Sequence, residues 1–542
     1  MAGPIDRLRE LWFGSRLYAA TLGGGQATAR HAPDDPWPGE TEDANAIFQG
    51  RYLFGGEPLL KPNQSPWGIA ASPDALAALH GFDWLRHLAQ AGGPTAQRLA
   101  RSLIEGWIES CGRWQAETWR ADLLGRRLFS WSTQSAFLLA GAEAAFIARF
   151  LASWSEQARH LERVAEEAAD GAPRLTALAA LGLSGLALSD GDARLERALA
   201  ALARELPRQV LADGCHVERR PSTQLGVLRE LVALKRGLIG MERAVPAALG
   251  EAIDRLAPML RFFRMGDGAL AGFHGGQESS RDLIDLTLAK SDAKGKAPDS
   301  APEGGFERLA AGRSTIVVDT GWPAAGAWGR AGHAGCLAFE MSHGRDRMIV
   351  NCGMAAEAGP AWKRALRSTA AHSTLVLDEH DSLELTEDGV PARQPPRPRI
   401  ERKQADGAVW LDAAHEGYRA RLGVVHQRRL FLDTAGEDLR GEDSILPEGG
   451  TGRAQGKGFA LRFHLHPKVQ ASLIGEGDHA LLKLPGGSGW IFRAAGGSIG
   501  LEESVYFADG GQRRRAEQLV VSGQCGEGAT SVKWRLSAIA PP

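Results

Sequence analysis

The chain has 542 residues, 44% hydrophobic and 24% charged, a globular composition on a chain too long for one ordinary core, which predicts two domains. Lys and Arg number 63 against 65 Asp and Glu, a formal net charge of -2, which argues against a globally basic nucleic-acid or membrane-surface binder. An anionic ligand therefore has to be met by a local basic cluster. Cys111, Cys215, Cys336, Cys352 and Cys525 are scattered without C-x-x-C spacing, which implies neither a zinc knuckle nor a disulfide framework, and they read as small buried hydrophobes.

Residues 1–22 carry Arg7, Arg9 and Arg16 among apolar residues, without the uninterrupted apolar core or cleavage site of a signal peptide. They read as an amphipathic helix. No apolar run is long enough to span a membrane, so the expected compartment is the cytoplasm. Residues 23–66 are rich in Gly, Pro, Asp and Asn and read as irregular structure, with a short strand at Phe48–Phe54. From Pro73 to Arg264 apolar residues recur at three- and four-residue spacing, as at Leu195, Leu199, Leu202 and Leu206. Short breaks at 91–94, 170–173 and 189–192 divide this region into helix pairs.

Residues 290–305 are polar and rich in Gly and Pro, and read as a linker. Beyond it alternating runs at 314–319, 409–413, 424–432, 460–466 and 498–507 predict an antiparallel sandwich. The division expected is a helix and irregular segment at 1–66, a helical domain at 67–289, the linker, and a sheet domain at 306–542. The fold class is α+β, multidomain.

Several groups could carry chemistry. The loop Asp213-Gly214-Cys215-His216-Val217-Glu218-Arg219-Arg220 feeds a helix through Pro221, Ser222, Thr223 and Gln224, with Ser222 as the expected N-cap. Adjacent arginines at a helix start suit an anion, and the alternative is a capped surface loop with solvated charges. His333 and His372 each precede an apolar, β-branched run, where a ring is rigidly placed and titrates in a useful range. Trp131 is the candidate for a groove-facing ring among 15 tryptophans, most of which read as core. His464 and His466 share a strand face at two-residue spacing but lack an evident third metal ligand.

The stretch Gly332-His333-Ala334-Gly335, then Val350-Asn351-Cys352-Gly353, then Arg367-Ser368-Thr369-Ala370-Ala371-His372-Ser373-Thr374 resembles the heparinase II/III family of polysaccharide lyases. That family reads Gly-His-Ala-Asp, Val-Asp-x-Gly and Arg-Ser-Thr-x-x-His-Asn-Thr in these places. The resemblance extends over almost the whole chain. It implies an incomplete (α/α) toroid followed by a β-sandwich, an anionic polysaccharide or oligosaccharide as partner, and β-elimination at a uronic acid. It also makes a periplasmic location the alternative to the cytoplasmic one. No nucleic acid and no membrane span are expected, and a homodimer is compatible with it.

In that reading His333, His216 and Arg220 are the catalytic candidates. Arg174, Arg219, Trp131, Gln224, His372 and Tyr418 are the substrate-binding candidates. Arg174 stands near the family's carboxylate-neutralising asparagine, and Thr223 falls where the family has its acid–base tyrosine. Tyr418 is a candidate replacement phenol. Zinc-holding relatives use the positions that here read Gly335, Asn351 and His372, so no metal and no cofactor is expected. A non-catalytic glycan-binding or envelope-polysaccharide accessory protein on the same fold is the alternative function. A hydrolase would need a second carboxylate opposite Glu218.

Overall fold

Helix-forming runs and alternating runs separate along the chain, and the computed structural model follows them: helices dominate up to Ser291 and strands from Ser300 onward. It describes residues 4–24, 27–30, 33–54, 57–60, 65–354, 359–448 and 453–539. The protein is α+β and multidomain. Two compact units are present, one made of Met1–Gln209, Gly226–Asp254 and Ala289–Asp292, the other of Val210–Leu225, Arg255–Leu288 and Ala293–Pro542. Two stretches of the helical sequence, 210–225 and 255–288, thus group with the sheets.

In the first unit, helices Ala121–Thr133, Ala172–Ala187 and Asp192–Gln209 pack side by side. Small residues let them approach closely. A Cβ on Gly125 would lie 2.8 Å from Ala177 Cα, and one on Gly185 would lie 2.8 Å from Leu195 N. Aromatic residues fill the neighbouring core: Trp131 meets Trp107 and Phe82 edge-on at 5.7 and 5.6 Å and Phe150 at 5.0 Å. One helix, Thr41–Phe48, lies in the stretch expected to be irregular. Glu42 and Asp43 sit in its first turn, where they complement the helix dipole, and Ala44, Ala46 and Ile47 are buried. The short strand expected at Phe48–Phe54 covers only Arg51–Phe54, since Phe48 ends the preceding helix, and it pairs with Glu57–Leu60.

The second unit holds two antiparallel sheets. The first has eight strands in the order Gln470–Ile474, His479–Lys483, Gly489–Ala495, Thr530–Ala538, Asp438–Pro447, Val424–Leu432, Ala408–His415, Arg399–Ala405. The second has nine. Its main path runs Ser498–Tyr506, Arg514–Gln524, Gly458–Leu465, Asp346–Val350, Phe339–His343, Ser314–Asp319, Phe306–Ala311, Ser300–Ala301, and Leu375–Leu377 pairs with Gly458–Leu465. Inward residues of both sheets form one core, which includes Ile316, Phe339, Met341, Leu411, Phe463, Trp490 and Trp534. Stacked indole and phenyl rings (Phe339 on Trp534, 5.7 Å) close it.

Candidate functional site

The loop 210–220 is shaped by its own polar side chains. Asp213 accepts from Cys215 N at 3.0 Å and from Gly304 N at 2.7 Å. Gln224 accepts from His216 N at 2.7 Å and donates to Gly214 O and Leu256 O. Gln224 is buried and holds the loop against the helix it precedes. That helix begins at Pro221, with Ser222 already inside its first turn rather than at the cap. A proline at the first helical position loses no hydrogen bond and its φ is preset, so it sets the boundary.

Arg219 follows with φ +58, a left-handed conformation that a residue with a Cβ adopts at a cost. Its guanidinium is spent on the sheet unit. It donates to Gly304 O at 2.6 Å, Gly305 O at 2.9 Å and Trp322 O at 2.7 Å, and it is paired with Asp319. Asp319 ends strand Ser314–Asp319 and also meets His274 Nε2 at 3.2 Å. His274, itself at φ +51, accepts at Nδ1 from His333 N at 3.3 Å. Arg219 Nη1 lies 3.0 Å from the same Nε2, so N–H donors face both nitrogens of this ring. The adjacent Arg219 and His274 hold the Asp319 carboxyl below its ordinary range even though it is buried.

His333 and His372 continue this chain. His372 Nδ1 lies 2.7 Å from Ser368 O, which fixes its proton there and leaves Nε2 as an acceptor, 3.0 Å from His333 Nδ1. His333 is then protonated on Nδ1, and its Nε2 lone pair is buried without a hydrogen-bond partner among the described residues. Gly275 closes over that nitrogen: a Cβ there would be 3.0 Å from His333 Nε2 and 2.8 Å from Met354 Cβ. Burial first, then the neighbouring His372 and His274 rings and the charges of Arg220 and Arg367, hold His333 well below the ordinary histidine range. Burial likewise pushes His372 to about 4. Both rings are neutral at pH 7.

His216 is fully buried, its Nδ1 accepting from Glu218 N, and burial lowers its pKa too. Arg220 is half-buried and donates through Nε to His274 O at 2.9 Å. Thr223 reaches Glu218. Thus His216, Arg219, Arg220, Gln224, His333 and His372 all belong to the second unit. Arg174 and Trp131 belong to the first. Arg174 is engaged there with Ala168 O, Asp170 and Glu205, and Trp131 is fully buried.

Tyr418 is buried in the sheet unit and donates to Leu375 O at 2.7 Å. Close by in the polar core, His415 Nε2 meets His426 Nδ1 at 3.2 Å, and His426 Nε2 meets Asp443 at 2.7 Å. Arg428 and Trp534 complete the shell of Asp443, so this carboxylate is matched on both oxygens and held at about 2 by Arg428 and His426 despite its burial.

The zinc positions of some relatives do not form a ligand set here. A Cβ at Gly335 would lie 2.7 Å from His372 Cδ2, so the histidine ring occupies that space. Asn351 donates to Glu340 at 3.1 Å and accepts from Ser373 N at 3.0 Å. His464 is turned to Ser504 and Ala370 O. Among the described residues no group of three His, Cys, Asp or Glu side chains is placed to hold a metal ion.

His274 and Asp319 are central to the cluster, and the sequence reading passed over both. The available signals were modest: a histidine between glycines in Gly272-Phe273-His274-Gly275-Gly276, and an acid closing the run Ile316-Val317-Val318.

Comparison with known proteins gives a consistent result. The family model described as heparinase II/III N-terminus matches residues 67–288, and the one described as heparinase II/III-like, C-terminal, matches residues 293–535. FtsZ-localized protein C of Caulobacter vibrioides (strain NA1000 / CB15N) is 34% identical over 557 residues, covering 99% of this chain and 94% of that protein. The crystal structure of heparinase III superposes with a TM-score of 0.73 at 13% identity, covering 99% of this chain and 91% of that one. Heparan sulfate lyase HepC from Pedobacter heparinus superposes at 0.60 with 15% identity, covering 98% and 88%. Two adjoining family matches spanning most of its length place this chain in the heparinase II/III-like family.

Proposed function

We propose that this protein is a non-catalytic heparinase II/III-like protein that acts together with FtsZ in cell division. The carrying observation is the closed state of the proton-transfer groups. His333 Nδ1 is spent on His372, and its Nε2 faces Gly275. His216 and Tyr418 are buried and hydrogen-bonded within the unit. Thr223, which lacks a titratable phenol, stands where a lyase of this family has its tyrosine. A base held well below pH 7 and shut off from solvent is a weak general base. The 34% identity to FtsZ-localized protein C, over 94% of that protein, supports FtsZ as the partner.

A second reading, elimination on a uronate-containing glycan, is favoured by Arg220. Its Nε is bonded to His274 O, and its charge acts on His333. In that reaction Arg220 would neutralise the uronate carboxylate. His333 Nε2 would take the C5 proton, the C4–C5 double bond would form as the C4–O4 bond breaks, and the imidazolium would return that proton to the leaving O4.

One experiment separates the two. Purified protein is titrated with FtsZ by fluorescence anisotropy and, in parallel, incubated with glucuronan, alginate, heparan and chondroitin glycans while the unsaturated-uronate absorbance is followed. Saturable FtsZ binding with no absorbance rise is expected. An absorbance rise abolished in His333→Ala would replace this reading with the lyase one.

A further inference from the structure

We propose that the helical unit contains a binding site for a small oxyanion, in the cavity lined by Trp37, Arg86 and Arg229. The cavity has a volume of about 210 Å³, and every residue lining it belongs to this one unit. Three residues that line it each hold a buried donor with no acceptor among the described residues: Trp37 Nε1, Arg86 Nε and Arg229 Nε. Trp37 is 3% exposed, so its indole N–H has no recourse to bulk solvent.

The charges are also unbalanced. Arg126 is matched by Asp83 at 3.1 Å. Asp35 already accepts from Trp37 N and Gln134 Nε2, and it reaches Arg86 at 3.6 Å. Arg229 has no carboxylate at ion-pair distance among the described residues, and its guanidinium carbon lies 5.0 Å from the centre of the Trp37 ring. Glu230, the other acid on the wall, accepts from Thr176 at 2.9 Å. Its burial pushes its carboxyl up to about 7, so near neutral pH it is only partly ionised beside Arg229. The space would hold roughly seven waters at the volume of liquid water, and waters would satisfy the donors but not the charge. One carboxylate, phosphate or sulfate group would satisfy both, accepting from the guanidinium edges and the indole N–H.

The cavity is too small for a length of polymer, so the occupant is a free ion or the charged group of a larger molecule. This goes beyond the reading above, which places nothing in the helical unit.

Helix Pro221–Gly240 offers a clean way to block the site. Gly226 lines the cavity, and a Cβ built on it meets no atom within 4 Å. Gly226→Leu therefore fills the space while favouring the helix. Arg229→Gln removes the unmatched charge and keeps a polar side chain.

The full chain would be titrated calorimetrically with sulfate, inorganic phosphate, acetate and glucuronate at constant ionic strength in chloride, with Tm measured alongside. Saturable one-site binding of at least one of these, with a rise in Tm, is expected in the wild type. Affinity should fall at least tenfold in Arg229→Gln and vanish in Gly226→Leu. Tight acetate or glucuronate binding would assign the group as a carboxylate, and tight phosphate or sulfate binding as a tetrahedral anion. Absence of saturable binding by all four, or wild-type affinity in Arg229→Gln, would overturn the site. If Arg229→Gln does not fold, wild-type binding by Gly226→Leu overturns it alone.

Discussion

Among the described residues, Glu340 receives three N–H donors on one oxygen and none on the other. Its Oε1 accepts from Gly272 N, Asn351 N and Asn351 Nδ2 at 3.1, 3.2 and 3.1 Å, while Oε2 is buried without a hydrogen bond among the described residues, 3.7 Å from Arg347. Burial outweighs that arginine and pushes the carboxyl up to about 7. The sign follows directly. A carboxyl whose pKa is raised on folding keeps its proton in the native state, so its contribution is fully present below about 4.5 and is lost as pH rises toward 7. A glutamine there would keep the accepting oxygen and never ionise. Glu340→Gln should therefore leave stability at pH 4.5 close to wild type. By pH 7.5 it should be more stable than wild type, by an amount on the order of 1–3 kcal/mol. Urea midpoints across this range would test it, and a constant difference at all pH values would refute the assignment.

At the same scale, the sequence singles out His333, His372, Arg219 and Arg220 as candidates but not what holds them. Arg219 looks like a ligand for an anion in sequence because two arginines precede a helix. In the fold its donors go to three carbonyls and Asp319. Nothing local encodes an acid that arrives 100 residues later in the chain.

Between strands, one face of the eight-stranded sheet carries two different ladders. The register sets Glu401 opposite Asp412, then Arg429, Glu442 and Lys533 across successive strands, so charges alternate from Asp412 on. The neighbouring row runs Lys403, Trp410, Phe431, Arg440, Arg535, Arg493, and contains three arginines in a line. Asp438 serves both Arg440 and Arg535, whereas Arg493 has no ion pair among the described residues. Like charges directly opposite each other destabilise a sheet. Arg493→Glu should place an acid opposite Arg535 and stabilise the protein by roughly 0.2–1 kcal/mol at low salt. The gain should shrink as salt is added. A lower Tm at every ionic strength would show that Arg493 is held by something other than its cross-strand neighbour.

The strands of these ladders were legible because alternation is a short-range signal. The runs 314–319 and 424–432 are strands with those bounds. Helix Thr41–Phe48 was not legible, since eight residues after a proline-rich stretch give little more than two turns of periodicity.

For the whole molecule, sequence order and structural grouping part company. The sheet unit takes residues 210–225 and 255–288 out of the helical stretch of sequence. A polar, Gly- and Pro-rich segment marks a change of composition, but it carries no information about which earlier residues pack on the strands. Those earlier residues meet specific obligations. Arg308 donates to Phe262 O and Arg264 O at 2.7 and 3.0 Å, and Arg347 donates to Asp267 at 2.7 Å. Ser342 accepts from Gly266 N at 2.9 Å, and Asp319 has Arg219 and His274 as its partners.

A fragment beginning at Ala293 would lose every one of these partners at once. It would keep Arg347 and Asp319, which are buried in the intact protein. Stripping one member from a buried ion pair costs about 3–5 kcal/mol, and each further orphaned polar group adds about 1–3. Two or three such losses match the 5–15 kcal/mol that keeps a typical domain folded. The 293–542 fragment should therefore show no cooperative thermal transition by circular dichroism. Adding residues 210–288 in the same chain should restore one. A sharp transition in the short fragment would mean that the sandwich core alone suffices, and that the 210–225 and 255–288 segments lie on a sheet unit that folds without them.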